Sequence, residues 1–403
     1  MNLINGKSIL NISKNQIPME IICNQNELNN AIQLVNKAVA TRPTHPILAN
    51  ILLTADQGTN KISLTGFDLN LGIQTSFDGT VKNSGAITIP SKLLSEIVNK
   101  LPNETPVSLD VDENSDNILI KSDRGSFNLK GIPSDDYPNL PFVESGTSLN
   151  IDPNSFLKAL KSTIFASSND DSKQLLTGVN FTFKQNYLES ASTDGHRLAV
   201  SLIDKEENVE NKESLNSSES NLSVTIPTRS LREIEKLVTL KSLENSIKLF
   251  YDKGQLVFIS SNQIITTRTL EGNYPNYSQL IPDSFSKILN FNTKKLIDAL
   301  ERIAVLADQQ SSVVKIKLDS TDLALISADA QDIGNANESI PVSYSGEDFD
   351  IAFNVRYLLE GLKVISSQNV LLKCNLPTTP AVLVPEDNLN SFTYLVMPVQ
   401  VRS

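Results

Sequence analysis

The sequence predicts an α+β fold of three similar domains, each with two helices and antiparallel sheets of short strands. Three observations predict it. The 403 residues are too many for one ordinary core and suit two or three domains of roughly 100–150 residues. A strand end leading into a short amphipathic helix occurs three times along the chain. Alternating apolar runs follow each copy, and such period-2 runs read as half-buried strands.

Residues 1–18 precede the first copy, and Met19, a second methionine, opens it. The 1–18 segment therefore reads as an upstream extension or an over-long gene start. It lacks the apolar run of a secretory signal, so export is not expected. A first helix follows, with one apolar face at Leu28, Ala31, Ile32, Val35 and Val39 and Asn26 as its cap. The same spacing returns at Phe156, Leu157, Ala159, Leu160 and Ile164, capped by Asp152 ahead of Pro153. It returns again at Leu296, Ile297, Ala299, Leu300 and Ile303, with Thr293 as the expected cap.

The second helix of each domain sits in a clearer repeat. Ile89-Pro90-Ser91-Lys92-Leu93-Leu94-Ser95-Glu96-Ile97 matches Ile226-Pro227-Thr228-Arg229-Ser230-Leu231-Arg232-Glu233-Ile234, and Phe353-Asn354-Val355-Arg356-Tyr357-Leu358-Leu359 is a looser third copy. Strand-like alternation follows from Val107, from Ile247 and from Val370. Asp136-Tyr137-Pro138-Asn139-Leu140-Pro141 answers Asn273-Tyr274-Pro275-Asn276-Tyr277 about one domain length later. The expected domains are 19–145, 146–282 and 283–403. The stretch from about 204 to 222, rich in Ser, Asn and Glu, reads as a disordered loop between strands of the second.

Charge is unevenly spread. The chain carries −11 with a pI near 4.9, which argues against a protein that grips nucleic acid by neutralising phosphates. The six expected helices nevertheless sum to +5, leaving −16 elsewhere. If the helices share one surface, they form a basic lining inside an acidic particle, able to hold DNA loosely while the outside repels it. Alternatively, Lys and Arg simply occupy exposed helix faces.

The segment Ser192-Thr193-Asp194-Gly195-His196-Arg197-Leu198-Ala199 resembles a middle-domain motif of the bacterial sliding clamps, the beta subunits of DNA polymerase III. Arg42-Pro43-Thr44-His45-Pro46-Ile47-Leu48-Ala49-Asn50, Tyr274-Pro275-Asn276-Tyr277 and Tyr394-Leu395-Val396-Met397-Pro398 resemble three further segments of that family, in the same order. The resemblance spans Met19 to Pro398. It implies a DNA clamp fold in which two chains pair head to tail into a ring around duplex DNA. It implies a non-catalytic processivity factor without cofactor, acting in the cytoplasm at the nucleoid. The implied partners are double-stranded DNA, the DNA polymerase III alpha subunit and other polymerases, the clamp loader, repair proteins carrying short clamp-binding peptides, and a second copy of the chain.

Carried over by motif, the peptide cleft would be lined by Leu176, Thr193, Gly195, His196, Arg197, Leu198, Pro275, Leu280, Leu395, Met397 and Pro398. Leu and Met side chains form an adaptable apolar pocket, and backbone, His and Arg groups orient a peptide. Gln279 stands where the family often has arginine, and Thr379-Pro380-Ala381-Val382 matches only loosely, which bears on partner preference. DNA contact would fall to Arg42 and Lys173, although Gln174-Leu175 lacks the aromatics relatives place nearby. Phe127 and Leu129 match the clamp's first-domain edge strand, and Val305 and Leu306 the last-domain helix that meets it. Taken alone, each has a plainer reading: Asp194-Gly195 is a turn, His196 structural, Met397-Pro398 tail packing, Arg42 a stabiliser of its own loop, and the four interface residues ordinary core.

Catalysis finds little support. His45 and His196 are the only histidines, and Ser192, Asp194 and His196 are too close in sequence for a triad. There is no phosphate-binding Gly-rich loop with Lys and no metal-binding His-Glu-x-x-His helix. Asp110, Asp112 and Glu113 read as an acidic turn after a strand in preference to a cation site. Cys23 and Cys374, the only cysteines, make neither a disulfide framework nor a zinc site, which fits a reducing compartment. No run is long and apolar enough for a membrane span. Two rivals remain: a hydrolase using His196, and a multidomain adhesive or scaffold protein.

Overall fold

In the computed structural model of the chain, the described residues are 19–400 except 113–114, 124, 144–145, 185–186, 205–221, 241–246, 261, 308–310, 319–321, 331–332 and 345. The 1–18 extension, Glu113 and the interior of the expected 204–222 loop lie outside them.

The described residues hold six α-helices: α1 (Gln25–Val35), α2 (Ser91–Val98), α3 (Pro153–Thr163), α4 (Thr228–Leu240), α5 (Thr293–Ala307) and α6 (Val355–Leu362). They form where apolar residues recur at helical spacing. In α5 the buried face is Leu296, Ala299, Leu300, Ile303, Ala304 and Ala307. Asp152 caps α3 through a bond from Ser155 N at 2.7 Å, as expected. Two other caps differ from expectation. The first helix begins at Gln25, and Asn24, not Asn26, accepts from Asn26 N at 2.8 Å. The fifth begins at Thr293, and Asn292 accepts from Lys295 N at 3.1 Å. In both, an Asn with extended neighbours upstream reaches the free amides that the expected residue, already helical, cannot.

Each repeat has the order strand, helix, four strands, helix, three strands. The first repeat adds the short strands Thr80–Asn83 and Ile132–Pro133. The first strand of every repeat pairs with the one after its second helix: Glu20–Asn24 with Pro106–Val111, Thr147–Ile151 with Ile247–Asp252, and Lys287–Asn292 with Asn369–Cys374. The expected α+β class with antiparallel pairing is therefore observed in all three repeats.

The described residues fall into two compact units. One holds those up to Ile151 together with a later segment ending at Arg268; the other starts at Asp152 and resumes at Thr269. The first contains a 5-stranded and a 9-stranded sheet, the second a 12-stranded sheet. In each unit one sheet crosses from repeat to repeat. In the first, Leu71–Asp78 pairs with Gln263–Arg268. In the second, Arg197–Asp204 pairs with Phe392–Val396. Both pairings join the fourth strand of a repeat to the last strand of the next repeat, and both fix the position of a tight hairpin.

The main core of the second unit packs α5 and α6 against strands around Phe291, Phe353 and Tyr394. A smaller cluster on that unit joins Ala191, Leu198, Val200, Val382, Val384 and Leu395. In the first unit, Ile47, Leu48, Phe67 and Tyr137 cluster beside the equivalent hairpin.

Candidate functional site

The sequence Thr193-Asp194-Gly195-His196-Arg197 turns the chain between the strands Tyr187–Thr193 and Arg197–Asp204. Gly195 has φ +95°, a conformation that favours glycine. Asp194 Oδ1 accepts from His196 N at 2.8 Å and Arg197 N at 3.1 Å, the turn its short carboxylate is suited to make. The Thr193 hydroxyl donates to Arg197 O at 2.5 Å and accepts from Gly195 N at 3.1 Å.

Arg197 is the hub. Its side chain is 8% exposed, and it donates from Nε to Asp194 Oδ2 at 3.0 Å, from Nη2 to Phe165 O at 2.8 Å and from Nη1 to Glu360 of α6. Its guanidinium lies 4.4 Å from the Tyr357 ring centroid and 5.6 Å from that of Phe165. Burial works against its charge, but Tyr394, Glu360 and Asp194 outweigh that and hold its pKa above the usual value. Arg197 therefore anchors the hairpin to α6 and has little left to offer a ligand directly.

Around the hairpin, Leu198 stands opposite Leu395 in register, and the two are 1% and 4% exposed. They form the floor of the site together with Val382. Tyr277 and Ile281 pack over that floor. Tyr274 accepts from Thr193 N at 3.1 Å, and Tyr277 donates to Glu189. Burial pushes the Tyr274 hydroxyl up to about 12, against the pull of the Thr193 amide. Burial, then the bond to Glu189, raises Tyr277 further. The last strand is stitched to the hairpin by Met397 N donating to His196 O at 2.9 Å.

The expected cleft residues thus separate into two classes. Thr193, Arg197, Leu198 and Leu395 are buried and build the site. Gly195, His196, Pro275, Leu280 (54% exposed) and Met397 (38% exposed) form an exposed rim, joined by half-buried Leu176 and Pro398. Gln279 is exposed on that rim. Sequence reasoning missed Asp194, Tyr274, Tyr277 and Val382 as organisers, although all four stood inside quoted segments. It missed Glu360 and Tyr357 entirely, since nothing local marks them as partners of Arg197.

Other expected residues are placed as follows. Arg42 is exposed on its loop. Lys173 is exposed, and its ammonium donates to Asp194 O at 3.3 Å, beside the hairpin. The lysines and arginines within the six helices are exposed. Phe127 is 38% exposed with Leu129 half-buried on the strand Gly125–Lys130, and Val305 is 68% exposed with Leu306 half-buried on α5. Ser192 is fully buried and donates to Thr163 O, so its hydroxyl is not aimed at His196. Asp112 accepts from Ser115 and Asp110 pairs with Lys121, as in an acidic turn. Among the described residues no group of three His, Cys, Asp or Glu is placed to hold a metal ion, and no helix is long and apolar enough to cross a membrane.

Three family models of the DNA polymerase III beta subunit match the chain: the N-terminal domain over residues 19–141, the central domain over 150–276 and the C-terminal domain over 278–400. The beta sliding clamp of Synechococcus elongatus is 44% identical over 386 residues, covering 96% of this chain and 100% of its own length. That of Bacillus subtilis is 30% identical over 394 residues, covering 95% and 100%. Among solved structures, the DNA polymerase sliding clamp from Bacillus subtilis superposes with a TM-score of 0.86 at 28% identity, covering 96% of this chain and 100% of that one. The sliding clamp from Pseudomonas aeruginosa bound to griselimycin gives 0.84 at 26% identity, again covering 96% and 100%.

Proposed function

The chain belongs to the DNA polymerase III beta subunit family, the beta sliding clamps, and from that membership we propose how its own residues perform the clamp's work. The protein is a non-catalytic DNA sliding clamp. Two copies close head to tail around duplex DNA, so that processivity comes from topology, and partners are captured by short peptides at the rim around Gly195, His196, Pro275, Leu280 and Met397. The observation that carries this reading is the hairpin site: an apolar rim exposed above a Leu198–Leu395 floor, held rigid by Arg197. Met397, unbranched and adaptable, is the side chain that yields to a ligand. Tethering there raises a polymerase's effective concentration at its primer end. The DNA polymerase III alpha subunit, other polymerases, the clamp loader and repair proteins are its partners, in the cytoplasm at the nucleoid. The loader supplies nucleotide chemistry that this chain has no motif for.

An unmatched pair of strands supports the ring-closure reading. The strands Gln263–Arg268 and Phe392–Val396 each pair onward with the preceding repeat. Their counterpart in the first repeat, Gly125–Lys130, ends its sheet with Phe127 and Leu129 upon it. The fourth-strand counterpart in the last repeat is Gly334–Ser343, bonded on one side to Leu323–Ala330 and on the other only near its end, at Val342 and Ser343. A second copy supplies the missing partner for each, with Val305 and Leu306 of α5 meeting Phe127 and Leu129. Exposed helix cations and Arg42 and Lys173 hold the DNA loosely. We place the domains at 19–145, 146–282 and 283–403; the three-part division is supported by family-model matches over 19–141, 150–276 and 278–400, the last of which begins five residues before our third limit.

The test is a titration with a labelled Gln-Leu-x-Leu-Phe peptide, the ligand type the family resemblance implies. Binding should weaken about tenfold or more in Met397→Ala and stay unchanged in Lys92→Ala. A folded wild-type protein that does not bind would overturn the cleft assignment. Phe127→Asp should convert a dimer to a monomer in sedimentation, and a dimer that persists would overturn the edge pairing.

A further inference from the structure

The chain builds the same seam twice within itself, once between its first and second repeats and once between its second and third. In the first seam Asp68 Oδ1 accepts from Asn70 N at 3.0 Å and Leu71 N at 2.8 Å, as Asp194 Oδ1 does from His196 N and Arg197 N in the second, so Leu71 and Arg197 open equivalent strands. Across the first seam Ile73 faces Ile265 and Thr75 faces Gln263; across the second Ala199 faces Tyr394 and Ser201 faces Phe392. The edges Gly125–Lys130 and Gly334–Ser343 belong to the same frame. The repeated Ile89, Ile226 and Phe353 pair with Ile51, Val179 and Val314. Two residues further on, the inner ladders run Leu53/Leu64/Thr75, Phe181/Ser190/Ser201 and Ile316/Ile326/Glu338. Glu338 therefore corresponds to Thr75 and Ser201. From three residues before each helix cap, the outer ladders run Ile21/Leu109/Ile120/Phe127, Leu149/Leu249/Phe258/Ile265 and Leu289/Leu372/Leu383/Tyr394. Phe127 therefore corresponds to Ile265 and Tyr394, and Gly125 to Gln263 and Phe392.

Set edge to edge in that register, Ala336 of one copy faces the partner's Phe127, and Glu338 faces the partner's Gly125. Side-chain sizes compensate across both pairs. In the second seam a small residue on the fourth strand meets a large one on the last strand, Ala199 with Tyr394 and Ser201 with Phe392. Between copies Ala336 and Phe127 keep that order. Glu338 and Gly125 reverse it: the large residue stands on the other side, and glycine makes room for it. Glu338 is also not alone. It accepts from Arg302 Nε at 2.9 Å and from Arg302 Nη2, a two-pronged bond from α5. Within the chain the matching positions are neutral and enclosed. Thr75 and Ser201 are 5% and 1% exposed, and Ser162, the counterpart of Arg302 on α3, is 8% exposed. The Glu338 side chain, with its strand awaiting a neighbour, is 28% exposed.

We infer that the Arg302–Glu338 pair is a charged lock at the seam between copies, enclosed beneath the partner's Gly125 when the ring closes. This rests on the ring-closure reading given above and adds what sets that seam apart from the other two. An enclosed ion pair gives up water on both ions and recovers only part of the loss, so it closes a seam less firmly than neutral packing does. Both charges come from one copy and are already bonded, so closure has no new pair to find. The seam that carries the pair is the one through which DNA enters, while the two that stay shut carry hydroxyls in place of the carboxylate.

The experiment measures the dimer dissociation constant of the full chain by sedimentation equilibrium. A Cβ at Gly125 would lie 3.3 Å from Phe127 Cε2, the end of a side chain that can give, and 3.4 Å from Ser122 O, so the chain itself admits a larger residue there. Gly125→Phe should weaken the dimer about a hundredfold, because the clash occurs at both seams of a ring. Adding Arg302→Ser and Glu338→Ser copies the Phe392, Ser162 and Ser201 set and should restore the constant to within about tenfold of wild type. Arg302→Met alone, which leaves Glu338 to be enclosed without its cation, should weaken the dimer about tenfold or more. A folded Gly125→Phe that dimerises like wild type overturns the inference, as does a triple variant no tighter than Gly125→Phe, or an Arg302→Met without effect. A wild type that is monomeric throughout defeats the ring-closure reading instead. Should Gly125→Phe not fold, cysteine pairs decide the matter, since native Cys23 and Cys374 are buried. Gly125→Cys with Glu338→Cys should form a disulfide between copies on oxidation faster than Gly125→Cys with Ala336→Cys, and the opposite order overturns the inference.

Discussion

At Leu71 the first unit's hairpin re-enters its sheet through an apolar side chain 1% exposed; at the equivalent position the second unit does so through Arg197, 8% exposed. Leu71 holds its hairpin by packing. Arg197 holds the other by bonds to Asp194, Phe165 and Glu360, each directed to a named atom. Packing fills space as it stabilises, whereas directed bonds stabilise a turn without filling the surface beside it. The same backbone can therefore be closed in one unit and rimmed with exposed apolar side chains in the other.

Replacing both residues by methionine is the sharpest way to break that comparison. Leu71→Met keeps shape and polarity and should cost under about 1.5 kcal/mol. Arg197→Met leaves Asp194 without its cation in a largely buried setting and should cost about 3–5 kcal/mol in urea denaturation. Equal losses would mean that the charge is not what holds the second hairpin. A smaller gap is expected between Asp68→Ala and Asp194→Ala. Both lose the two amide bonds of the turn, about 1 kcal/mol, but the second also strips Arg197 of a partner and should lose roughly 1–2 kcal/mol more.

Smaller still, and opposite in sign, is Leu69→Gly. Leu69 holds φ +76° where the other hairpin has a glycine. Relieving a left-handed leucine should raise the melting temperature, a gain of up to about 1 kcal/mol. Gly195→Leu should lower it.

The last difference is nil at neutral pH. Tyr274 titrates near 12 when folded against 10.0 when free, so the stability it contributes is complete below pH 10 and is lost as pH rises toward 12. Tyr274→Phe should flatten that part of the stability curve measured by denaturation. A curve unchanged between wild type and variant would show that Tyr274 is not the group responsible.

Much of this was legible in the sequence because apolar spacing is local. All six helices and the strands after them are found, although the first and third end at Val35 and Thr163, short of the expected face residues Val39 and Ile164. The caps slipped because Asn24 and Asn26, and likewise Asn292 and Thr293, are both competent chemically, and only backbone geometry selects within each pair. The hairpin was readable as a motif, yet its division into floor and rim was not. Leu198 and Leu395 are buried by segments far away in the chain, and Arg197 finds Glu360 across 163 residues. Pairings of that length leave no periodic trace.

The sheet that crosses from repeat to repeat also constrains how the protein can be made. Leu71–Asp78 leaves the ribosome long before Gln263–Arg268, its partner. At roughly 5–20 residues per second that edge waits on the order of 10–40 seconds for its neighbour. Arg197–Asp204 then waits similarly for Phe392–Val396. Neither of the first two repeats is finished when its own residues have been translated; each is completed by the one after it. A nascent chain of this protein therefore travels through synthesis with one open strand always exposed, a natural point of engagement for chaperones.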